Sequence, residues 1–541
     1  MWTALYGALV VAAATAVCGG YSEDFFSSTS RLEQLVGQEE VVVDKLERYL
    51  EEAYHSLETV RSYVTSFREM RAGSSIHHPV EAFLMLRRLT VDWDIVEDDL
   101  RRQANQTQET LRSIGGFRAD RPFPEADDLH GAAVALIRLQ DTYQLNMTQL
   151  PRGHIASFGP EPAAEFQSAQ ELTARDCLFI GRHAFSRGLY DAAIEWFEAA
   201  LWRTEEEPEG AVTATRDEIE PLLTSTIKLH DSVLEEQGPR GEDWRTNPVP
   251  IDRRLAEQER YQPPRLAVFR PRLHQPQAEA EEEEHYQRLC RGERLRSPAE
   301  EAELSCHLTS NGSPLLLLSP LRVEVLSRQP YIVMLHQLVT ETEVSQFQEL
   351  AGPRLATSRH RHPDGEFVAS MSRISKNAWI PDDEDPTGML ARVTRRVAAS
   401  SGLKCDNDMA AEAFQVANYG IGGLYVTHTD HHMAEVPRGP HAHWETMIGD
   451  RLATWMVYLS DVPAGGATVF PRAGVTVWPE RGSVAFWWNL NAAGKGDDDT
   501  RHAACPVLHG SKWVSNKWIH YNEQFRAKPC GLTPDAIHQT P

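Results

Sequence analysis

Apolar residues recur every three and four positions through residues 25–120, so this stretch is predicted to be helical. Val43, Leu46, Leu50, Ala53, Leu57, Val60, Val64 and Phe67 keep that step without a break. A period near 3.5 predicts a coiled-coil seam between chains. One amphipathic helix packed inside its own domain carries the same pattern. Residues 166–237 are helical again. In "DCLFIGRHAFSRGLYDAAIEWFEAAL", Gly181, Ala184, Ala193, Phe197 and Ala200 stand at the spacings of a tetratricopeptide unit. Small residues there let two helices approach, and Phe197 fills the space between them. A single unit cannot bury its own face, so flanking helices must complete it. The next helix, "RDEIEPLLTSTIKLHDSVLEEQ", holds no second copy. Such hairpins hold extended peptides, although plain helix packing explains the pattern equally well. Residues 238–284 are rich in Pro, Arg, Gln and Glu and end in "AEAEEEEH", which predicts a linker with a solvated acidic run.

After residue 330 the period falls to two. "EAFQVANYG", "ATWMVYLS", "GATVF", "VTVWP", "GSVAFWWNL" and "KWVSNKWIH" are short strands between glycine turns. Strands at this spacing predict an antiparallel sandwich or barrel. "RVTRRVAAS" is a helix packed on its outside. The expected fold class is multidomain α + β. A signal peptide (1–19) precedes an N-terminal helical dimerisation domain (20–165) and a tetratricopeptide-like peptide-substrate-binding domain (166–237). A linker (238–330), a β domain (331–530) and a C-terminal tail (531–541) follow.

Composition narrows the setting. A chain of 541 residues with net charge -24 repels nucleic-acid phosphates, so no nucleic-acid partner is expected. The opening "MWTALYGALVVAAATAVCGG" has the length and apolar character of a cleaved secretory signal, and no later segment is apolar enough for a membrane span. A lumenal or extracellular protein follows. Of seven cysteines, Cys18 lies at the signal. Cys290 and Cys306 flank a short polar loop, and Cys505 and Cys530 bracket the last strands. Either pair can close a disulfide in an oxidising compartment. Cys177 and Cys405 stand alone as buried thiols. No CxxC occurs, so zinc ribbons and thioredoxin-type sites are unsupported. Asn105, Asn146 and Asn311 head glycosylation sequons.

The candidate chemistry lies in "GGLYVTHTDHHMAE", where His428 and Asp430 are two apart. With 22 histidines, about one such pair arises by chance. In a strand, residues i and i+2 share a face, so both can bind one metal. A second pair, His362 and Asp364, is interrupted by Pro363 and followed by Gly365, which marks an exposed turn. His502, at the start of a later apolar strand, supplies a third ligand. Two histidines and a carboxylate on one face of an octahedral metal form the arrangement of non-heme Fe(II) oxygenases. Zinc competes as the metal, but zinc hydrolases want an acid–base residue nearby and none is evident. Lys512 stands between apolar residues beside Trp513. A buried ammonium needs an anion, and an anionic co-substrate supplies one; an edge-strand lysine on the surface is the plain alternative.

Together "QVANYGIGG", "HTD", "YLSDVPAGGATVFP", "FWWNL", "GDDDTRHAACPVL" and "KWVSNKWIH" resemble the catalytic α subunits of the collagen prolyl 4-hydroxylases. The likeness is strongest over residues 411–530 and extends more loosely over "RISKNAW", the helical hairpin and the N-terminal helices. It implies a double-stranded β-helix (jelly-roll) catalytic domain that uses Fe(II), 2-oxoglutarate and L-ascorbate. Iron is then expected on His428, Asp430 and His502, and the distal 2-oxoglutarate carboxylate on Lys512. Tyr419 is expected to line the co-substrate pocket, His520 to lie near the C1 carboxylate, and Trp518 to contact the substrate proline. The implied reaction hydroxylates C4 of peptidyl proline in procollagen-like X-Pro-Gly sequences, releasing succinate and CO₂. The resemblance also implies an α₂β₂ assembly with protein disulfide isomerase in the endoplasmic reticulum lumen. The terminal "AIHQTP" carries no retention signal, and a retained partner accounts for that. Cys290–Cys306 and Cys505–Cys530 become the implied disulfides. "LYVTHTD" and "HHMAEVPRGPHAHW" depart from the family pattern and leave His431 and His432 as competing ligands. The eroded second helical repeat keeps open a non-collagen proline-rich substrate, and a non-catalytic assembly subunit is the third reading.

Overall fold

The computed structural model describes residues 26–538 apart from 74–78, 122, 157, 159–164, 209, 238–276, 362–366, 370–372, 433–445 and 527. The apolar leader, the His362/Asp364 pair and most of the Pro-rich stretch lie outside the described residues. The chain forms two compact units, Arg31–Glu125 and Ala126–Pro541, the second including residues 26–30.

The first unit is built from α1 (Thr29–Gly73), α2 (Pro79–Arg87) and α3 (Trp93–Ala119). Lys45 Nζ donates to Ser113 Oγ at 2.6 Å, and Phe67 stacks on Trp93 with centroids 5.5 Å apart, so α1 and α3 run antiparallel. The predicted seam is not consumed by this pairing. Leu46, Leu50 and Leu57 remain 44, 64 and 58% exposed.

The second unit opens with α4 (Ala126–Tyr143), a short hairpin of β1 (His154–Ala156) and β2 (Glu165–Gln167), then α5 (Ala174–Ser186), α6 (Tyr190–Glu206) and α7 (Arg216–Gln237). Thr173 and Asp176 form a capping box that starts α5. A Cβ on Gly181 would lie 2.6 Å from Phe197 Cε1, which is the close helix approach that the spacing predicts. Trp196 Nε1 donates to Gln140 Oε1 at 2.9 Å and ties α6 to α4.

Three boundaries differ from expectation. The first helical unit ends at residue 125, because α4 packs into the second unit. The linker expected over 238–330 ends by α8 (Gln277–Cys290), which the acidic run begins; α9 (Pro298–Ala302) follows. The β domain starts before residue 331, since β3 (Cys306–Thr309) and β4 (Leu321–Arg328) are strands of its larger sheet.

That domain continues through β5 (Tyr331–His336), α10 (Glu341–Ala351), β6 (Ala356–Thr357), β7 (Arg359–Arg361), β8 (Phe367–Ala369), β9 (Lys376–Ile380) and α11 (Met389–Ser401). Then come β10 (Phe414–Tyr419), β11 (Tyr425–His428), β12 (Arg451–Tyr458), β13 (Ala464–Gly465), β14 (Thr468–Phe470) and β15 (Val475–Val477). The last strands are β16 (Val484–Trp488), β17 (His502–Ala504), β18 (Val507–His509) and β19 (Lys512–His520). A nine-stranded sheet has the order β3-β4-β5-β16-β12-β19-β10-β9-β6, and a four-stranded sheet the order β11-β17-β14-β15.

The central strands β10, β12 and β16 of the large sheet are buried almost throughout because both faces of the sheet are covered there. Trp455, Val457, Phe486 and Val416 join Phe347 of α10 and Val393 of α11 in one core. Met456, Tyr458, Trp487 and Ala417 point the other way, into a core shared with Phe470, Val475 and Ala504 of the small sheet. The outer face of the small sheet offers Val469, Ala503 and Cys505 to Leu139 of α4 and Tyr286 of α8.

The disulfide pairing is corrected. Cys290 bonds Cys505 with Cα atoms 5.6 Å apart, while Cys306 and Cys530 are free and exposed. The fold carries Cys306 onto an edge strand of the large sheet, away from the end of α8 that meets the small sheet. Nearness in sequence was the wrong guide. Asn105 and Asn146 are exposed. Asn311 instead donates its amide to the carbonyls of Ala399 and Ser400 at 3.3 and 3.0 Å, capping the end of α11, which opposes its reading as a glycan acceptor. Among the described residues no helix is long and apolar enough to cross a membrane.

Candidate active site

The site lies between the two sheets. Strands β11 and β17 pair antiparallel with His428 and His502 as direct Cα partners. Asp430 follows β11 by two residues. The ligand atoms of His428, Asp430 and His502 all lie within 4.8 Å of one another, and no other such group occurs among the described residues. His428 Nε2 is 3.8 Å from Asp430 Oδ1, and His502 Nε2 is 3.7 Å from Oδ2. These gaps are too wide for hydrogen bonds but would be spanned by one cation with ligand bonds of about 2 Å.

The supporting bonds favour metal binding. His428 Nδ1 donates to the Val426 carbonyl at 2.8 Å, and His502 Nδ1 to the Thr500 carbonyl at 3.0 Å. Each bond leaves Nε2 as the free lone pair facing the centre. Thr454 Oγ1 donates to Asp430 Oδ2 at 2.6 Å and accepts from Asn489 Nδ2 at 2.9 Å, which orients the carboxylate. Burial pushes the His428 imidazole below its ordinary value, and the neighbouring His502 adds to that. Both keep the ring neutral and able to ligate. His431 is turned against Gly496, 3.5 Å from Asp498 Oδ1, and His432 is held by a backbone bond to Asp450 at 2.9 Å. Neither joins the ligand group.

Lys512 enters the same cavity from β19, where it is the Cα partner of Tyr419. It is 1% exposed, donates to Thr468 Oγ1 at 3.3 Å, and lies 5.6 and 5.9 Å from the ring centroids of Tyr419 and Tyr458. Burial pushes its ammonium down to about 7. A buried amine among hydroxyls and aromatic faces is a receptor for an anion.

Alternate residues of β19, namely Lys512, Val514, Asn516 and Trp518, line the cavity in the sequence of the strand. Arg373, Tyr425, Met456 and Trp487 help close it. At the Trp518 end, the Arg451 guanidinium covers the indole at 3.8 Å from the ring centroid and forks to Glu412 at 2.6 and 3.0 Å. Burial alone would raise the Glu412 carboxyl, but Arg451 and His520 beside it reverse that and hold it at about 2.

Two family models match, one described as the N-terminal region of the prolyl 4-hydroxylase α subunit over residues 28–157 and one as the 2OG-Fe(II) oxygenase superfamily over residues 414–520. Prolyl 4-hydroxylase subunit alpha-1 of Rattus norvegicus is 31% identical over 98% of this chain and 99% of its own length. Subunit alpha-2 of Gallus gallus is 33% identical over 94% and 96%, and subunit alpha-3 of Homo sapiens 33% identical over 95% of each. The chain belongs to the prolyl 4-hydroxylase α-subunit family.

As a member of that family it is an Fe(II)- and 2-oxoglutarate-dependent oxygenase, and the residues present fit both groups. Tyr419, Lys512 and Trp518 line the cavity with the three ligands. His520 does not. It shares their strand face but lies beyond them, with Nδ1 donating to the Gly449 carbonyl at 3.0 Å and Nε2 3.2 Å from Glu412. Arg373, Thr454, Thr468 and Asn489 were not anticipated. Only Arg373 had a visible signal, as the charged first residue of "RISKNAW"; it donates to Gln415 Oε1 at 2.9 Å and covers Tyr425 at 5.0 Å.

Proposed function

We propose that this chain is the catalytic α subunit of a prolyl 4-hydroxylase acting on procollagen-like X-Pro-Gly sequences. The observation that carries the reading is that three candidate ligand side chains and a buried ammonium line one cavity. Bound iron and 2-oxoglutarate, with O₂, supply the oxidising chemistry that leaves succinate, CO₂ and a hydroxyl on C4 of proline. His428, Asp430 and His502 hold the metal, with their orientations set by the Val426, Thr500 and Thr454 bonds. The Lys512 ammonium and the Thr468 hydroxyl take the far carboxylate of the 2-oxo acid. Met456, Trp487 and Val514 exclude water.

Trp518, which lines the cavity, contacts the pyrrolidine ring in this reading, while Tyr425 is stacked on His428 with ring centroids 3.6 Å apart. The indole N–H of Trp518 is buried with no hydrogen-bond partner among the described residues, and a peptide carbonyl suits it. The two sheets make a double-stranded β-helix in this reading. The α5–α6 hairpin is its tetratricopeptide-like peptide holder, and the exposed α1 seam its contact with a second α chain. His520 serves indirectly, by holding Glu412 and through it Arg451 over Trp518. Assembly with protein disulfide isomerase in the endoplasmic reticulum lumen completes the proposal, with ascorbate as reductant. The test is hydroxylation of a (Pro-Pro-Gly) repeat by the assembled enzyme, set against a polyproline peptide. Preference for the repeat is expected, and hydroxylation of polyproline alone would move the substrate to another proline-rich protein.

A further inference from the structure

The acidic run that reads as a solvated linker has a different use. Helix α8 lies on the outer face of the four-stranded sheet, opposite the metal ligands. Along β17 the side chains alternate: Ala504 faces the core between the sheets, whereas Ala503 and Cys505 face Leu289 and Cys290 of α8. The Cys290–Cys505 bond therefore ties the end of α8 to a residue three past His502.

The other half of α8 is tied by charge. Glu282, whose side chain is only 11% exposed, accepts from Arg501 Nε at 2.9 Å and from Arg472 Nε at 3.0 Å. Arg501 immediately precedes His502. Its Nη2 reaches toward the carbonyl of Thr427, the residue before His428, at 3.5 Å. Arg472 Nη1 donates to the Asp498 carbonyl at 3.3 Å, in the turn that leads into β17. One carboxylate thus holds a guanidinium that straddles both strand ends carrying the histidines. These strands need such backing. They are four and three residues long, and their register shifts between the Tyr425 and His428 pairs. Few ladder bonds hold the two imidazoles opposite each other.

We propose that Glu282, through Arg501 and together with the Cys290–Cys505 bond, is a positioning residue that sets the spacing of His428 and His502 for iron. The proposal rests on the iron-binding reading above. It makes iron affinity depend on a helix that touches no ligand, and on whether one disulfide is closed.

The experiment uses the full α chain assembled with its disulfide isomerase partner. Fe(II) is titrated anaerobically in the presence of 2-oxoglutarate, and binding is followed by the visible charge-transfer absorption. Glu282→Gln is expected to weaken Fe(II) affinity by about 10–100-fold, the range for partners that orient metal ligands. Glu282→Asp should recover part of it, and Arg501→Lys, which keeps the charge but not the fork, should fall between. The double variant Cys290→Ser/Cys505→Ser should also weaken binding, and mild reductant should reproduce its effect in the native protein alone. Val397→Ala, a cavity variant on the α11 side of the large sheet, controls for general loosening. Unchanged affinity in Glu282→Gln would overturn the proposal. So would an equal loss in Val397→Ala at a matched fall in melting temperature. A native protein that binds no Fe(II) would instead overturn the functional reading itself.

Discussion

His428 and His502 are Cα partners across the antiparallel pair of β11 and β17, and both turn Nε2 toward Asp430. Register alone therefore brings together two ligands that the chain keeps far apart. Replacing any one of the three by Ala would remove a third of the protein ligands of the proposed iron site. Iron-dependent turnover should fall on the order of 10³-fold or more, since the metal supplies several kcal/mol of catalysis. Steady-state succinate release checks this. Thr454→Val should be milder, weakening metal affinity about 10-fold by freeing the Asp430 carboxylate.

Lys512→Met should raise the KM for 2-oxoglutarate by about 10–100-fold, because hydrogen bonds to charged groups contribute about 1.5–3 kcal/mol. The same variant should melt at a higher temperature in the absence of ligand, since a buried ammonium is costly.

The pH dependence follows from the same residue. Burial lowers Lys512 from its ordinary 10.5 to about 7. Between those values the unfolded chain keeps a proton that the ligand-free fold has released. Unfolding then takes up a proton, so stability of the ligand-free protein rises with pH across that window and levels off above it. The affinity for 2-oxoglutarate runs the opposite way, falling above pH 7 as the ammonium is lost. Melting curves and 2-oxoglutarate titrations across that range test both signs. Neither trend should survive in Lys512→Met.

Glu412 and Arg451 are 19 and 17% exposed and fork to each other beside Trp518. Glu412→Gln leaves a largely buried guanidinium without its counter-charge and should cost about 3 kcal/mol in denaturant unfolding. The double variant Glu412→Met/Arg451→Met should recover most of that stability. It should not recover peptide affinity, because nothing then covers Trp518.

Non-reducing peptide mapping should find Cys290 linked to Cys505, with Cys306 and Cys530 open to alkylation in the folded protein. A peptide joining Cys290 to Cys306 would contradict the arrangement of α8 on the small sheet.

The candidate ligand set was legible because strand period two makes His428 and Asp430 neighbours on one face, and because His502 opens an apolar strand. Lys512 was legible as a charge in an apolar run. Strands β10, β12, β14, β15, β16 and β19 were legible from their short β-type runs between glycine turns, and α11 from the helical stretch "RVTRRVAAS". Strands β3 and β4 were not, since "CHLT" and "LRVEVLSR" are ordinary alternating stretches whose places as the first two strands of the large sheet depend on pairing. The acidic run of α8 was misread because a charge pattern does not say that Glu282 meets Arg472 and Arg501. The disulfide was misread because Cys505 lies 215 residues from its partner. Thr454, Thr468 and Asn489 are common polar residues whose roles exist only once the sheets are packed. Tyr419 and Trp518 line the cavity, whereas His520 lies beyond it at the end of β19.

The most direct test of the central claim combines one peptide and one variant. The assembled enzyme is incubated with Fe(II), 2-oxoglutarate, ascorbate and a proline-rich peptide, and the products are read by mass spectrometry. The native protein should yield a peptide one oxygen heavier at proline and an equal amount of succinate, and Asp430→Ala should yield neither. Both products from Asp430→Ala at the native rate would contradict the assignment of the metal to His428, Asp430 and His502.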